Sequence, residues 1–350
     1  MSVVYREPFR KITTHKELRD ALRDTETYSS DLQGDADVRD YRQLPLEVDP
    51  PRHHLYRTAL APFFVKPSIE KFIPNFKMNS EQLLRNFFAK PNQNFISDLA
   101  LPLVMQNLGV IFNRPQDVDE WISWGPDVWT AESKQRSGDI LNRYLDRIYQ
   151  EALGNDLDDI WHNISRLEID NKQISPIEFR GIAGVLLAGG RDTIVKLLTG
   201  IMWFFGKEPS QLEALRNKTE HLNSAISEFL RYFSPLPQMN RTIVPESINT
   251  ELPDDRYVGM SFLSGNFDPL VFENPFTIDL YRPRNPHLSF GFGPHTCLGI
   301  HIADIEAKVF LSTLLASEFT WKISSKKIRF HNAPHEMVPD SFEELRLDLL

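Results

Sequence analysis

The feature that most constrains the fold of this chain is one long helical pattern in its middle. It begins at Ser175, a residue type that caps helices, with Pro176 in the first turn and Glu178 where a capping box places a carboxylate. Apolar residues continue on most sides as far as Gly206, about thirty positions, which is long for a globular helix. Such a helix needs protein all around it, so we expect it to run through the centre of a mainly helical fold.

The remaining periodic segments predict a mainly α protein with a small β region. The helical segments are His15–Leu22, Ser68–Leu84 with a kink or break at Pro74, Asn223–Phe233 and the stretch after Gly299, and the strands are Thr242–Ile248 and Arg256–Ser264. The 16 glycines and 24 prolines are scattered, and no linker, repeat or low-complexity segment interrupts the pattern. Residues 1–350 are therefore expected to form a single domain.

Composition and charge exclude several classes of protein. With 41% hydrophobic and 25% charged residues, the chain has the balance of a folded globular protein. The formal net charge of −9 argues against nucleic-acid binding, which needs a basic face. No apolar run approaches the ~18 residues of a membrane-spanning helix, and Met1–Lys16 lacks the apolar core of a secretory signal. Cys297 is the only cysteine, so no intramolecular disulfide can form and the reducing cytoplasm is the expected location.

The most informative segment is a glycine-rich loop that contains this cysteine, Phe290-Gly291-Phe292-Gly293-Pro294-His295-Thr296-Cys297-Leu298-Gly299. Glycines let the backbone turn tightly and approach a bulky planar group or a sulfur atom. A thiolate at the start of the following helix is favoured by free N–H groups and by the helix dipole, and it can ligate a soft or borderline metal. A lone cysteine is more often a small buried hydrophobic residue, but the surrounding pattern here favours a ligand.

The pattern F-G-x-G-x-H-x-C-x-G resembles the haem-binding loop of the cytochrome P450 family, in which the cysteine is the axial thiolate ligand. The resemblance covers the chain from about Phe9 to the C-terminus. It implies a single large cytochrome P450-like α domain with a small β region, in which haem lies between the long central helix and the cysteine loop. It also implies haem b (iron protoporphyrin IX) as the cofactor and Cys297 as the residue that binds the metal.

Two segments in the middle of the chain resemble further landmarks of the family. Glu228-Phe229-Leu230-Arg231 is similar to E-x-x-R, where i, i+3 spacing puts an acid and a base on one helix face. In the family this pair holds the segment that supports the cysteine loop. Gly189-Gly190-Arg191-Asp192-Thr193 is similar to the oxygen-activation motif, and a glycine pair can open a helix locally. The resemblance implies Thr193 and Asp192 as catalytic residues that deliver protons; the alternative is a helix that merely packs closely at its glycines.

A third segment supplies candidates for cofactor binding. Asp49-Pro50-Pro51-Arg52-His53-His54-Leu55-Tyr56-Arg57 is similar to the family's D-P-P-x-H-x-x-x-R. His53 and Arg57 are four residues apart and share one helical face, which suits two hydrogen bonds to a haem propionate. The resemblance adds Arg241 and His295 at two further propionate-binding positions. A porphyrin brings two carboxylates into an apolar slot, so cationic donors are needed there.

Together these residues imply a haem-thiolate monooxygenase that inserts one oxygen atom from O2 into a small apolar organic substrate, or couples or dealkylates it. The sequence contains no dinucleotide fingerprint, so a separate ferredoxin or flavodoxin-type electron donor is expected. It would dock where Arg52, Arg282 and Arg284 add positive charge. The alternatives are a peroxide-driven peroxygenase, a non-catalytic haem-binding sensor or docking protein, and a non-haem metal site that includes His295 and Cys297.

The sequence departs from the family pattern near its beginning. Asp49-Pro50-Pro51 comes far earlier than is usual, so we expect that an N-terminal segment of several dozen residues is missing. Such an absence would leave the substrate channel more open, or leave apolar surface for a partner or a second copy to cover. In the central helix, Gly189 replaces a commoner alanine and Ile194 a frequent second threonine, but the acid–alcohol pair is retained.

Overall fold

The computed structural model describes residues 8–31, 41–125, 128, 137–154, 159–244 and 256–350. Within these ranges the α-helices are α1 (His15–Ala21), α2 (Arg52–Phe64), α3 (Lys66–Glu70), α4 (Ile73–Phe88), α5 (Leu101–Ile111), α6 (Val118–Ser123), α7 (Ser137–Gly154), α8 (Ile160–Ser165), α9 (Pro176–Gly189), α10 (Arg191–Lys207), α11 (Pro209–Arg216), α12 (Leu222–Phe233), α13 (Phe262–Asn266) and α14 (Ile300–Ala316). The strands are β1 (Arg10–Ile12), β2 (Tyr28–Ser29), β3 (Glu168–Ile169), β4 (Lys172–Gln173), β5 (Met239–Ile243), β6 (Tyr257–Met260), β7 (Trp321–Phe330) and β8 (Pro339–Leu349). The predicted mainly α fold with a small β region is confirmed.

The long central pattern forms two consecutive helices, α9 and α10. The predicted capping box is present, because the Ser175 hydroxyl accepts a hydrogen bond from the Glu178 N–H at 3.2 Å and the Glu178 carboxylate accepts one from the Ser175 N–H at 2.8 Å. The prediction of one unbroken helix is corrected at Gly190, where φ is −96° and ψ is −14°. Two adjacent glycines hold helical geometry poorly, since they lose the most backbone entropy on ordering.

Close packing surrounds this central pair. At Gly200 of α10, an added Cβ would lie 2.7 Å from the Phe233 ring of α12. The two helices can pack this closely because Gly200 has no side chain. The predicted break near Pro74 is also present, because α3 ends at Glu70 and Pro74 lies in the first turn of α4. Among the helices of the described ranges, none is both long enough and apolar enough to cross a membrane.

The β region consists of a four-stranded sheet and two hairpins. The sheet has the order β1-β6-β5-β2, with β1 parallel to β6 and the other pairs antiparallel. The predicted strand Arg256–Ser264 is right as far as Met260 and wrong beyond it, because Ser261 accepts a hydrogen bond from the Ser264 N–H at 3.2 Å and caps α13. Residues 245–248 of the other predicted strand lie outside the described residues. The antiparallel hairpin of β7 and β8 was not predicted.

Candidate active site

A largely apolar cavity is bounded by the central helices and the glycine-rich loop. Gly189, Gly190 and Thr193 line it from the interrupted helix. The lining residues of the loop are Ser289, Phe290, Gly291, Phe292, His295, Cys297, Leu298 and Gly299. Other elements complete the wall through His53 and Arg57 of α2, Leu108 of α5, Phe112 just after it, Met239 and Arg241 of β5, and Ile302, Ala303 and Glu306 of α14. The fold therefore gathers residues from most of the chain around one space.

Glu228 and Arg231 anchor the segment that leads into the loop. Both side chains are fully buried, and Arg231 donates to the Glu228 carboxylate through Nε at 2.8 Å and Nη2 at 2.7 Å. Arg231 also donates to the main-chain carbonyls of Asn266, Pro275 and Thr277. Glu228 further accepts hydrogen bonds from Arg282, Asn285 and the N–H of Asp279. Removal of either side chain would leave the other charge buried and without its ion-pair partner, which is strongly destabilising.

Asn266 links this network to the loop, a role that no sequence pattern signalled. Its amide nitrogen donates to the hydroxyls of Ser234 and Ser289, both at 2.9 Å, and its oxygen accepts from the Leu288 N–H at 2.6 Å. The Ser289 hydroxyl in turn donates to the Leu230 carbonyl of α12 at 2.7 Å. The start of the loop is therefore fixed to α12 through buried hydrogen bonds.

Two glycines give the loop its shape. Gly291 and Gly293 have φ values of 69° and 73°, in the left-handed region that side chains disfavour. At Gly293 an added Cβ would also lie 2.6 Å from the Leu22 carbonyl oxygen, whereas at Gly291 the nearest atom would be 3.8 Å away. The Cys297 N–H donates to the Phe290 carbonyl at 2.8 Å and closes the loop.

Cys297 ends this turn three residues before α14 begins. Its side chain is exposed at the cavity wall, although many protein atoms surround it. Burial raises the pKa of the thiol, while the Gly299 N–H and the Arg57 guanidinium act in the opposite direction. The N–H group near the start of α14 therefore favours the thiolate, as predicted, but burial favours the protonated thiol more strongly. A metal ion in the cavity would supply the missing positive charge and displace the proton.

Two arginines reach the cavity without an ion pair to any residue that the structure describes. Arg241 is buried on β5, and it donates to the Asn240 carbonyl at 2.9 Å. Burial lowers its pKa to about 10, with some opposing effect from Asp49. Arg57 is half-buried and makes no hydrogen bond or ion pair within the described part of the chain. Guanidinium groups removed from water in this way lack the anionic partners that normally stabilise them.

His53 and His295 lie side by side, with ring centroids 4.1 Å apart. Among the described residues, neither ring nitrogen of His53 has a hydrogen-bond partner, nor does Nε2 of His295. Burial, reinforced by nearby positive charge, lowers the pKa of His53 to about 4 and that of His295 to about 2. Because buried polar groups are normally hydrogen-bonded, these neutral rings indicate a place where a ligand supplies the partner.

The donor set fits the haem that the sequence resemblance implies. The wall is largely apolar, and its polar side chains are the Cys297 thiol, the arginines and histidines described above, Thr193, Ser289 and Glu306. An apolar wall with a thiol and cationic donors suits a planar apolar ring with two carboxylates and a central metal. Within the described ranges, no group of three histidine, cysteine, aspartate or glutamate side chains could hold a metal ion. The non-haem site considered for His295 and Cys297 therefore finds no complete ligand set there.

Thr193 and Asp192 point in different directions. Thr193 lines the cavity, and its hydroxyl donates to the Gly189 carbonyl at 3.4 Å, beside the interruption at Gly190. The Asp192 side chain is 63% exposed and paired with Arg191. The structure brings Thr193 to the cavity but leaves Asp192 on the solvent side, so proton delivery by Asp192 stays a prediction.

The arginines expected to dock an electron donor have different surroundings. Arg282 is 8% exposed and donates to Glu228 at 3.0 Å, so its predicted docking role is wrong. Arg52 pairs with Glu178 of α9 at 3.1 Å and also donates to Tyr56. Arg284 is exposed and remains a candidate.

The cavity wall contains an acid that no sequence pattern indicated. Glu306 follows Ile302 and Ala303 at helical spacing, so it lies on the face of α14 that reaches the cavity. That spacing was visible in the sequence, but nothing marked this face of the helix as part of the site.

Comparisons with known proteins agree with this geometry. A family model described as "Cytochrome P450" matches residues 170–339. A Sinorhizobium fredii protein named "Probable cytochrome P450 127A1" is 28% identical over 92% of this chain and 78% of its own length. A steroid C26-monooxygenase of Mycolicibacterium smegmatis is 24% identical over 87% of this chain and 75% of its own. The solved structure titled "The structure of a carbohydrate active P450" superposes with a TM-score of 0.87 at 29% identity, covering 97% of this chain and 92% of that one.

Proposed function

Since the chain belongs to the cytochrome P450 family of haem-thiolate monooxygenases, we propose that it binds haem b through Cys297 and inserts one oxygen atom of O2 into a small apolar organic substrate. One observation carries this proposal: the Cys297 thiol and the guanidinium groups of Arg57 and Arg241, which have no ion-pair partner among the described residues, border the same largely apolar cavity. We further propose that residues 1–350 act as one domain in the cytoplasm, in keeping with the absence of a linker pattern and the single cysteine.

In this proposal, four side chains hold the two haem propionates. Arg57 and Arg241 supply charge-assisted hydrogen bonds, which are stronger than neutral ones. His53 and His295 supply neutral N–H donors or, after protonation, cations. Each group gains an anionic partner that it lacks among the described residues, so binding relieves the cost of burying it. The apolar wall buries the face of the ring.

When bound, the haem supplies the oxygen-activating chemistry of the family. Thr193 then holds a hydroxyl at the cavity wall, and its 3.4 Å hydrogen bond to the Gly189 carbonyl is long enough to be exchanged for a better partner. Its proposed role is to hold and pass a proton there. The apolar wall limits the entry of water and with it the loss of reducing equivalents.

The expected substrate is small and apolar because the wall beyond the loop is built from apolar side chains, among them Leu186, Leu236 and Met239. The expected electron donor is a separate ferredoxin or flavodoxin-type protein. Such acidic carriers favour a basic docking face, to which the exposed Arg284 contributes.

Isotopically labelled dioxygen tests this proposal. The haem-loaded protein is incubated with a surrogate ferredoxin, its reductase, NADPH and a panel of small apolar compounds, and the products are analysed by mass spectrometry. We expect one labelled oxygen atom per product molecule and no product from the Cys297→Ala variant. Product formed equally fast from hydrogen peroxide alone would favour the peroxygenase instead. Haem binding without any product from the panel would favour the sensor or docking protein.

A further inference from the structure

Phe292 is an aromatic residue of the cysteine loop for which the proposed function has no role. It lies between the two left-handed glycines and lines the cavity. The guanidinium carbon of Arg19, on α1, lies 4.4 Å from the centre of its ring, and that of Arg23, just beyond the end of α1, lies 4.5 Å from it. A guanidinium over an aromatic ring is attracted by the negative charge of its π electrons. Two cationic side chains from one helix end therefore contact one ring of the loop.

This contact does not compete with ion pairs of the two arginines. Neither arginine forms an ion pair with any residue that the structure describes, and the nearby Asp20 is paired with Lys16 at 2.9 Å. Arg19 is half-buried, and its Nε is buried without a hydrogen-bond partner among the described residues. Arg23 is exposed. Because cation–π attraction is stronger where water is excluded, we expect Arg19 to contribute more than Arg23.

α1 is a fixed support for the beginning of the loop. At its start, the His15 N–H donates to the Asp268 carboxylate at 2.9 Å, and His15 Nε2 donates to the Pro286 carbonyl at 2.8 Å. At its end, the main chain of Leu22 packs against Gly293, where an added Cβ would lie 2.6 Å from the Leu22 carbonyl oxygen. α1 therefore contacts the chain both before the loop and within it, and the two arginines extend this contact to the aromatic ring.

Hydrogen bonds within the loop link the position of Phe292 to that of Cys297. The Cys297 N–H donates to the carbonyl of Phe290, two residues before the ring, at 2.8 Å. The Thr296 N–H and hydroxyl donate to the carbonyl of Gly293, directly after the ring, at 3.1 Å and 2.7 Å. The main chain on both sides of Phe292 is thus bonded to Cys297 or to its neighbour, so a shift of the ring moves the cysteine.

The two arginines reach Cys297 through this geometry and not through their charge. The pKa of the Cys297 thiol responds to burial, to the Gly299 N–H and to the Arg57 guanidinium. Arg19 and Arg23 are not among these causes. Their effect on the site is therefore an effect on where the loop holds the sulfur.

We propose that Arg19 and Arg23 are positioning residues for Cys297, which hold the cysteine loop in its ligating shape by their contact with Phe292. This inference rests on the proposed function, because ligation of haem by the Cys297 thiolate is part of it. A thiolate ligand is lost when the sulfur moves away from the metal or takes up a proton. Without the contact the loop has more freedom, so thiolate ligation is lost more readily.

The carbon monoxide complex of the reduced haem-loaded protein tests this proposal. Its strongly red-shifted band reports thiolate ligation, and the rate at which this band converts to an unshifted one in dilute urea reports how firmly the loop is held. The double variant Arg19→Gln/Arg23→Gln should convert on the order of fivefold faster than the wild type. Arg19→Lys/Arg23→Lys keeps cations over the ring and should restore most of the slow rate. Lys16→Gln is the matched control, because it removes a cation of the same helix that pairs with Asp20, and it should match the wild type.

A double-mutant cycle separates the contact with the ring from any other effect of the arginines. Phe292→Leu removes the ring and leaves both charges in place. In that background, Arg19→Gln/Arg23→Gln should cause no further acceleration, whereas independent effects would multiply. Equal conversion rates in the wild type and the glutamine variant, or an undiminished effect of the glutamines in Phe292→Leu, overturn this inference alone. A wild type whose carbon monoxide complex lacks the red-shifted band overturns the proposed function and this inference with it.

Discussion

The imidazole rings of His53 and His295 lie 4.1 Å apart in the wall of an apolar cavity that also holds Arg57 and Arg241. None of these four groups forms an ion pair within the described ranges, and the pKa values of both histidines fall far below their usual range, chiefly through burial. The burial of these four side chains beside one another lowers the stability of the folded chain unless an anion is bound. Sites that violate ordinary rules of burial in this way are commonly functional.

The stability of the haem-free protein should fall as the pH decreases from about 6.5 to about 4. The folded-state pKa of His53 is about 4, below its ordinary value of 6.5. Between these values the unfolded chain binds a proton that the folded chain does not, so stability is lost as the pH decreases. His53→Gln should remove roughly 3 kcal/mol of this pH dependence of stability, measured by urea unfolding across the range. His54→Gln alters the exposed neighbour and should keep the wild-type slope; identical slopes for both variants would contradict the prediction.

Replacement of Arg241 should have opposite effects on folding and on haem binding. Arg241→Met removes a buried guanidinium whose pKa burial lowers to about 10, so the haem-free protein should gain roughly 1–3 kcal/mol. The same change removes a charge-assisted hydrogen bond to haem and should weaken its binding about tenfold to a hundredfold. Arg284→Met, at an exposed position, is the control for both measurements. If Arg241→Met lost both stability and haem affinity, the prediction would be wrong, and the role of Arg241 would be in folding alone.

The two left-handed glycines of the loop should respond differently to alanine. Gly291→Ala meets no atom closer than 3.8 Å and should cost about 1 kcal/mol of stability through backbone strain. Gly293→Ala adds a Cβ 2.6 Å from the Leu22 carbonyl oxygen, so it should cost roughly 3 kcal/mol and release haem more readily. Urea unfolding and haem retention measure both effects. Equal losses of stability in the two variants would contradict the prediction, because they would show that the Leu22 carbonyl moves away from the added Cβ at no cost in free energy.

Thr193→Ala should keep haem and lower the yield of product per electron. The cavity then lacks the hydroxyl that holds a proton at its wall, so reducing equivalents leave as hydrogen peroxide. We expect coupling to fall on the order of tenfold, measured as product and peroxide formed per NADPH. Thr193→Ser retains the hydroxyl and should restore most of the coupling. Unchanged coupling in Thr193→Ala would contradict the role of this residue in proton transfer.

The part of the fold that follows from strong local patterns was predictable. The helix after Ser175 has a capping box, a proline in its first turn and a continuous apolar sequence, and all three depend on neighbouring residues. The hairpin of β7 and β8 could not be predicted, because its sequence contains no such local pattern. Most of β7 is exposed, so it lacks the alternation of apolar and polar residues that marks a half-buried strand.

The residues of the site were likewise predictable only where a local sequence pattern marks them. Motif spacing identified the loop around Cys297 and the helical pair His53 and Arg57, because each set lies within a few residues. Asn266 acts through partners far away in the sequence, and no local pattern predicts such contacts. The exposure of Asp192 depends likewise on how the central helix sits among its neighbours.

Thiolate ligation by Cys297 is the central claim, since the chain has no other cysteine. The absorption spectrum of the reduced haem-loaded protein, recorded with and without carbon monoxide, tests it most directly. We predict a strongly red-shifted haem band in the carbon monoxide complex of the wild type, and loss of that band in Cys297→Ala. A wild-type complex that binds haem and carbon monoxide without this shift would contradict thiolate ligation and the oxygenase function built on it.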